Sequence, residues 1–314
     1  MWLTAIPKVV IKTYLWSFIL WLILTTIIPQ TLTKYFNDEV ISNTYKTRYF
    51  PYHSLISPSQ LPIQNSTVYY VMGHPDDETM FFSPSLIEVL RPKHNNSVKL
   101  ICLLPGDYVS PSMGSLRKEE LLSAARIYGI DKDDVFVLNY RDGMNETWPL
   151  DSIVNDLASI IGTNHQQLHN PLTLITFDEG GVSGHPNHIA TYEGTKKFFD
   201  TYYKSLSNDY RLYKLKTFNV FEKYTSTILT NIEYLVIQLP RLLARNIFQI
   251  GIDISFFSNP NEEESSIKFF GDMNTLGLSF GAMSFGHFSQ MESFRYPWIL
   301  FSRYFTYNNL IQVL

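Results

Sequence analysis

Cysteine is almost absent from this 314-residue chain: Cys102 stands alone, inside the apolar run 98–104. A single cysteine forbids an intrachain disulfide, fits a reducing compartment and reads as a core residue rather than a nucleophile. Charge is sparse and nearly balanced, with 25 Lys and Arg against 29 Asp and Glu for a formal net charge of −4. With no basic stripe and no nucleic-acid-binding motif, DNA and RNA are excluded as expected partners. Internal repeats and low-complexity tracts are missing too, which excludes a solenoid or a disordered array. No segment marks an obligate protein partner. What is present is apolar: 45% of residues are hydrophobic, enough to fill the core of one large domain rather than several small ones.

The longest uncharged run lies at the N-terminus, over residues 13–28, with Lys8 and Lys12 before it and Pro29 and Lys34 after it. With residues 9–11 added it reaches the roughly 20 residues that cross a bilayer. The apolar core of a signal peptide is usually ~7–15 residues. The length, Trp16 and Trp21, and the lack of a small-residue cleavage pattern therefore favour a retained transmembrane helix over a signal peptide or a buried helix. Lysines on both sides leave the orientation undecided by charge. Formal glycosylation sequons begin at Asn65, Asn95 and Asn145. Residues 1–30 thus read as a membrane anchor in a lipid bilayer, 31–64 as a linker, and 65–314 as the folded domain.

Within that domain the pattern alternates. Short apolar runs at 68–72, 98–104, 135–138 and 172–177 read as buried strands, and 81–90, 115–128, 150–161 and 188–203 as helices. Such alternation implies an α/β fold with a mostly parallel sheet and helices on both faces. After Lys214 the pattern is irregular. Residues 227–243 read as a packed or membrane-surface helix. The aromatic run 294–307, which carries Arg295 and Arg303, reads either as a headgroup-level segment or as a core helix with two exposed arginines.

Two strand exits carry chemistry. Residues 68–72 run into Gly73-His74-Pro75-Asp76-Asp77-Glu78, and 172–177 into Asp178-Glu179-Gly180-Gly181-Val182-Ser183-Gly184-His185-Pro186-Asn187-His188. Proline forces a turn at each exit, splaying imidazole and carboxylate groups at the end of the sheet where open α/β folds bind ligands. Histidine beside carboxylates forms a set of ligands for a divalent metal, with a general base alongside. If Pro186 opens a helix, His185 and His188 can face one site. Taken alone, Pro-Asp-Asp-Glu is equally an acidic helix start, and a lone histidine is more often structural; the second His-Pro turn tips the balance toward a site.

These two motifs resemble those of the PIG-L/LmbE family of zinc-dependent de-N-acetylases, and the eukaryotic PIG-L branch fits best. The resemblance continues through Arg117-Lys118-Glu119-Glu120-Leu121, Thr176-Phe177-Asp178, Ser289-Gln290-Met291, Phe294-Arg295 and Phe301-Ser302-Arg303-Tyr304. It implies a Rossmann-like, LmbE-type three-layer fold preceded by one transmembrane helix, and Zn2+ or another divalent metal as cofactor. The implied glycolipid substrate is N-acetylglucosaminyl-phosphatidylinositol, deacetylated at the second step of GPI-anchor synthesis. The implied location is the endoplasmic reticulum membrane, single-pass, with the catalytic domain facing the cytosol. It makes His74, Asp77 and His188 the metal ligands and Asp76 the general base. His185 becomes either an oxyanion donor or the proton donor to the leaving amine. Glu78 is expected to orient the loop or a ligand, Asp178 to orient a histidine, and Arg117 to contact phosphate or sugar or else to be a solvated charge. Asn187 matches the eukaryotic branch, whereas the loop 105–114 departs from the family pattern. Another small N-acetylglucosaminide as substrate, or an inactive lipid-binding scaffold, are the competing readings.

Overall fold

The computed structural model describes residues 5–28, 30–31, 61–163, 171–206, 209–238, 240 and 266–313. Most of the expected linker 31–64, and the end of the 227–243 run, lie outside them.

Seven strands form one sheet: β1 (Thr67–Met72), β2 (Ser97–Cys102), β3 (Val135–Val137), β4 (Leu172–Thr176), β5 (Tyr210–Leu215), β6 (Ser266–Phe270) and β7 (Tyr307–Gln312), in the order β3-β2-β1-β4-β5-β7-β6. The first five are parallel, while β7 pairs antiparallel with β5 and with β6. Every residue of β4 is buried, and so are five of the six in β1. This follows from the apolar, β-branched composition of strands covered on both faces. One face packs Tyr70, Met72, Leu100 and Ile175 against helices α3 (Ser83–Val89) and α4 (Pro111–Tyr128). The other packs Val71, Ile101 and Leu174 against α5 (Leu150–Ile161) and α6 (Pro186–Tyr202). The result is three layers. β1 and β4 are neighbours, yet their onward connections run to opposite sides of the sheet. Their exits therefore bound the crevice at which such sheets bind ligands.

Helix limits follow local chemistry. α4 begins at Pro111, before the expected 115, because the Ser110 side chain caps the Met113 amide at 3.2 Å; Gly129, at φ +86°, ends it. α5 matches its expected span. The expected helix 81–90 is found as α3, preceded by a short α2 (Asp77–Met80) that starts inside the acidic turn. The irregular reading after Lys214 is corrected: β6 and β7 occupy that region, and β5, which the apolar runs did not mark, leads into it. β7 escaped notice because two of its buried residues are polar. Asn308 is fully buried, accepting from the Ser85 amide and donating to the Phe81 carbonyl.

The apolar N-terminal helix α1 (Ala5–Leu22) continues through a wider turn to Ile27, and over Lys8–Ile27 it is long and apolar enough to cross a membrane. It does not stand apart from the domain. Tyr14, Ser17, Trp21 and Thr25 recur at three- and four-residue spacing, so they share one face. The Tyr14 hydroxyl donates to the Tyr224 carbonyl at 2.6 Å, and Asn231 of α7 (Thr227–Glu233) donates to the Ser17 carbonyl at 2.8 Å. Further along, the Met273 amide at the start of α8 (Met273–Gly281) donates to Thr26 at 3.0 Å, and Trp21 is fully buried.

The aromatic run 294–307 is neither a single helix nor a helix with two free arginines. Arg303 is buried, donating to Glu233, whose other oxygen accepts from Tyr307 at 2.7 Å and lies 3.0 Å from Lys268. Arg295 points toward the crevice.

Candidate metal centre

Asp77 is the hub of the first turn. Its Oδ2 accepts from the backbone amides of Gly73 at 3.0 Å and His74 at 2.7 Å, so the carboxylate is fixed by its own loop. Its Oδ1 lies 3.3 Å from His188 Nε2, and its Oδ2 lies 3.7 Å from His74 Nδ1. Those two ring nitrogens are 3.0 Å apart. Donors about 2.0–2.1 Å from a tetrahedral zinc ion stand roughly 3.3 Å from one another. The three separations bracket that value, and the residues present fit a small divalent cation.

The outer nitrogens of both histidines are held as well. His74 Nε2 lies 3.2 Å from Asp142 Oδ1, and His188 Nδ1 faces the Gly181 carbonyl at 3.1 Å. An acceptor behind each imidazole fixes its tautomer and turns its lone pair toward the centre, as behind metal-bound histidines. Phe177 stacks on the His188 ring at 4.1 Å with an 8° interplanar angle, and a Cβ on Gly73 would stand 3.1 Å from that ring. Burial opposes a charge on His74, but Asp142 and Asp77 outweigh it and raise its pKa to about 9. Burial likewise opposes ionisation of Asp77, yet His188 and His74 hold it well below the usual carboxylate range. The cluster is thus built around a positive charge.

A third imidazole stands beside it. His74, His185 and His188 each offer a ring nitrogen within 4.8 Å of the others. Asp77 lies 3.3 and 3.7 Å from the two facing nitrogens and brings the negative charge a dication needs, which favours the set His74, Asp77 and His188. His185 is the N-cap of α6, its Nδ1 accepting from the Asn187 amide at 3.3 Å. The remaining proton then sits on Nε2. Burial, then His74 and His188, lower its pKa to about 4, which keeps the ring neutral at physiological pH.

Asp76 is buried but takes no part in the ligand set. Its backbone has φ +120° and ψ −18°, a left-handed conformation rare outside glycine and worth about 1–3 kcal/mol of strain. Glu78 supports it, accepting from the Asp76 amide at 3.2 Å. Asp76 Oδ2 accepts from Arg295 at 2.8 Å and lies 3.7 Å from Arg117. Arg117 is no solvated charge: it donates to the Pro75 carbonyl at 2.8 Å and to Gln290 at 2.9 Å. Glu78 is fully buried against His287 at 2.5 Å, and Gln290 links His287 back toward Arg117.

One expected role needs correction. Among the described residues Asp178 bonds to no histidine; it accepts from the Gly180 amide at 3.0 Å and the Thr217 amide at 2.5 Å. Thr217 in turn accepts from the amide of Val182, a β-branched residue at φ +64°, and so braces the Gly-rich loop. Asp142 and His287 escaped the motif reading, and Arg295 entered it only within the matching stretch Phe294-Arg295, without a role. Arg141-Asp142-Gly143 carries only a turn signal, and His287 lies in the region that reads as irregular.

His74, Asp76, His185, His188, Arg117 and Arg295 all line one open cleft of about 420 Å3, bordered by Tyr108, Val109 and Met144. Replacing Asp142 with Ala is expected to weaken zinc binding about 10–100-fold while the fold is kept, as measured by competition with a chromogenic chelator. Unchanged affinity would contradict the role given to the His74–Asp142 contact.

Residues 69–199 match the family model described as PIG-L, GlcNAc-PI de-N-acetylase. The chain is 34% identical over 257 residues to the probable N-acetylglucosaminyl-phosphatidylinositol de-N-acetylase of Schizosaccharomyces pombe, covering 81% of this chain and 90% of the relative. It is 31% identical over 255 residues to the Bos taurus enzyme of the same name, covering 80% and 85%. Among solved structures, the zinc inhibited form of teicoplanin deacetylase Orf2 superposes with a TM-score of 0.49 at 12% identity, covering 79% of this chain and 98% of that one, a looser likeness.

Proposed function

The chain belongs to the GlcNAc-PI de-N-acetylase family, and on that premise we propose that it hydrolyses the N-acetyl group of N-acetylglucosaminyl-phosphatidylinositol. The products are acetate and glucosaminyl-phosphatidylinositol, and the step is the second of GPI-anchor synthesis. The observation that carries the chemistry is the convergence of His74 Nδ1, His188 Nε2 and the Asp77 carboxylate within 3.0–3.7 Å, with a separate carboxylate, Asp76, in the next residue. An inactive scaffold has no use for such a set.

His74, Asp77 and His188 would hold the divalent metal, which when bound polarises an acyl oxygen and brings the pKa of water toward ~7. Asp76 acts as general base, taking a proton from the attacking water and returning it to the departing amine nitrogen; its strained turn presents the carboxylate to the cleft while Arg295 fixes one oxygen. His185, neutral and carrying its proton on Nε2, donates a hydrogen bond to the developing oxyanion. Of its two expected roles the tautomer favours this one, because a ring of pKa about 4 has no second proton to give the amine. Arg117 and Arg295 line the same cleft, and their charge suits a substrate bearing a phosphodiester.

The purified protein is expected to release acetate from N-acetylglucosaminyl-phosphatidylinositol and much less from free N-acetylglucosamine. Equal turnover of the two would point to a general glycoside de-N-acetylase. Helix α1 anchors the protein in the endoplasmic reticulum membrane with the cleft on the cytosolic side. Protease added to sealed microsomes should digest the domain without detergent. Protection, or glycan on Asn65, Asn95 or Asn145, would reverse that orientation.

A further inference from the structure

Helix α9 (Arg295–Phe301) ties the metal centre to the apolar N-terminal helix. At its start Arg295 donates to Asp76 at 2.8 Å. At its end the Phe301 ring meets Tyr14 of α1 edge-on, centroids 4.9 Å apart. Seven residues of helix span about 10 Å. The inner side of α9 is packed, with Ile299 buried in a cluster with Met80, Met283 and Phe305. The outer side is bare: Tyr296 is 55% and Leu300 61% exposed, four residues apart and therefore on one face. Phe294 precedes them at 55%, and in the segment before it Phe285 and Phe288 are 80% and 75% exposed. Soluble proteins seldom leave so many large aromatic side chains in water within a few dozen residues.

The occupant follows from α1. Between Tyr14 and Thr26 that helix is hydrogen-bonded to the domain, while Trp16, Leu20 and Ile23 on its other side are exposed. A helix of this composition buries its apolar side in lipid. Because the domain is fastened along the helix, it cannot hang from a free tether, and α9 is drawn to the same depth.

We propose that the aromatic face of α9 and the preceding 285–294 segment inserts into the headgroup–acyl boundary of a bilayer beside α1, so that the cleft opens at the lipid surface. Phenylalanine and tyrosine with a neighbouring arginine suit that depth. The proposal deepens the glycolipid reading and rests on it for its purpose, though not for its test.

Cys102 is fully buried, its thiol donating to the Leu104 carbonyl at 3.1 Å, so an introduced surface cysteine can be labelled alone. The full chain is reconstituted into phosphatidylcholine vesicles with an environment-sensitive fluorophore on F288C, Y296C or L300C. W16C serves as the inserted reference, and L206C, in the turn that follows α6, as the aqueous one. Nitroxide-acyl lipids are expected to quench 288, 296 and 300 nearly as strongly as 16, and to spare 206. Labels at 288, 296 and 300 that behave like 206 overturn the proposal, whether or not 16 is quenched. In a parallel assay, Y296S/L300S is expected to lose about tenfold in acetate release from vesicle-borne glycolipid, with release from detergent-dispersed glycolipid unchanged. Equal rates for variant and unmodified chain on vesicles would also overturn it. If neither form hydrolyses the glycolipid under any condition, the substrate assignment fails while the quenching result still stands.

Discussion

Replacement of Asp76 by Asn is expected to lower kcat by about 10²–10⁴-fold while zinc content and substrate affinity stay close to those of the unmodified chain. The size is that of a positioned general base. The separation from metal binding follows from geometry: Asp77, not Asp76, meets both histidines, and Asp76 faces Arg295 and Arg117. Asparagine keeps the volume and can still occupy the turn, since Asn tolerates positive φ better than most residues. A loss of activity therefore reports on the missing base rather than on a collapsed loop. Bound zinc, kcat and KM measured together on one preparation decide it. Loss of the metal in this variant would mean that the two adjacent aspartates have been assigned in the wrong order.

The second large effect separates His188 from His185. With His188→Ala one of three protein ligands is gone, together with the ring that Phe177 stacks upon, so bound zinc and turnover should fall together. His185→Ala should keep nearly all its metal and lose roughly a hundredfold or more in kcat, because a donor aimed at the oxyanion acts mainly in the transition state. Removing His185 also uncaps α6, an expected cost of about 1 kcal/mol, visible as a lower Tm. Retained zinc in His188→Ala with loss in His185→Ala would favour the three-histidine set, to which His185 also belongs by distance.

How far the site could be read from the chain depends on where each residue obtains its meaning. His74, Asp76 and Asp77 follow β1 directly, and His185 and His188 flank the proline that opens α6, so local turn chemistry announces them. The parallel pairing of β1 with β4, Thr67 opposite Leu172, then brings the two turns together. Asp142 and His287 obtain theirs only through contacts 68 and 209 residues away along the chain, and nothing in their neighbourhoods foretells them; Arg295 stands in a stretch that carries the resemblance, but its role comes from Asp76, 219 residues away. The same holds for the sheet. Strands β1 to β4 declare themselves by apolar runs, while β7 buries asparagines that only a finished tertiary structure can satisfy. Helix α1 was legible as apolar and long, but its packed face was not, because Ser17, Thr25 and Thr26 look like incidental polar residues until their partners are in place.

The central claim is that the site works only with a divalent metal between His74, Asp77 and His188. It is tested most directly by measuring acetate release from N-acetylglucosaminyl-phosphatidylinositol with protein stripped by a chelator, and again after zinc is restored. The expected result is no release from stripped protein and recovery at about one zinc per chain. Undiminished release from protein shown to be metal-free would contradict it.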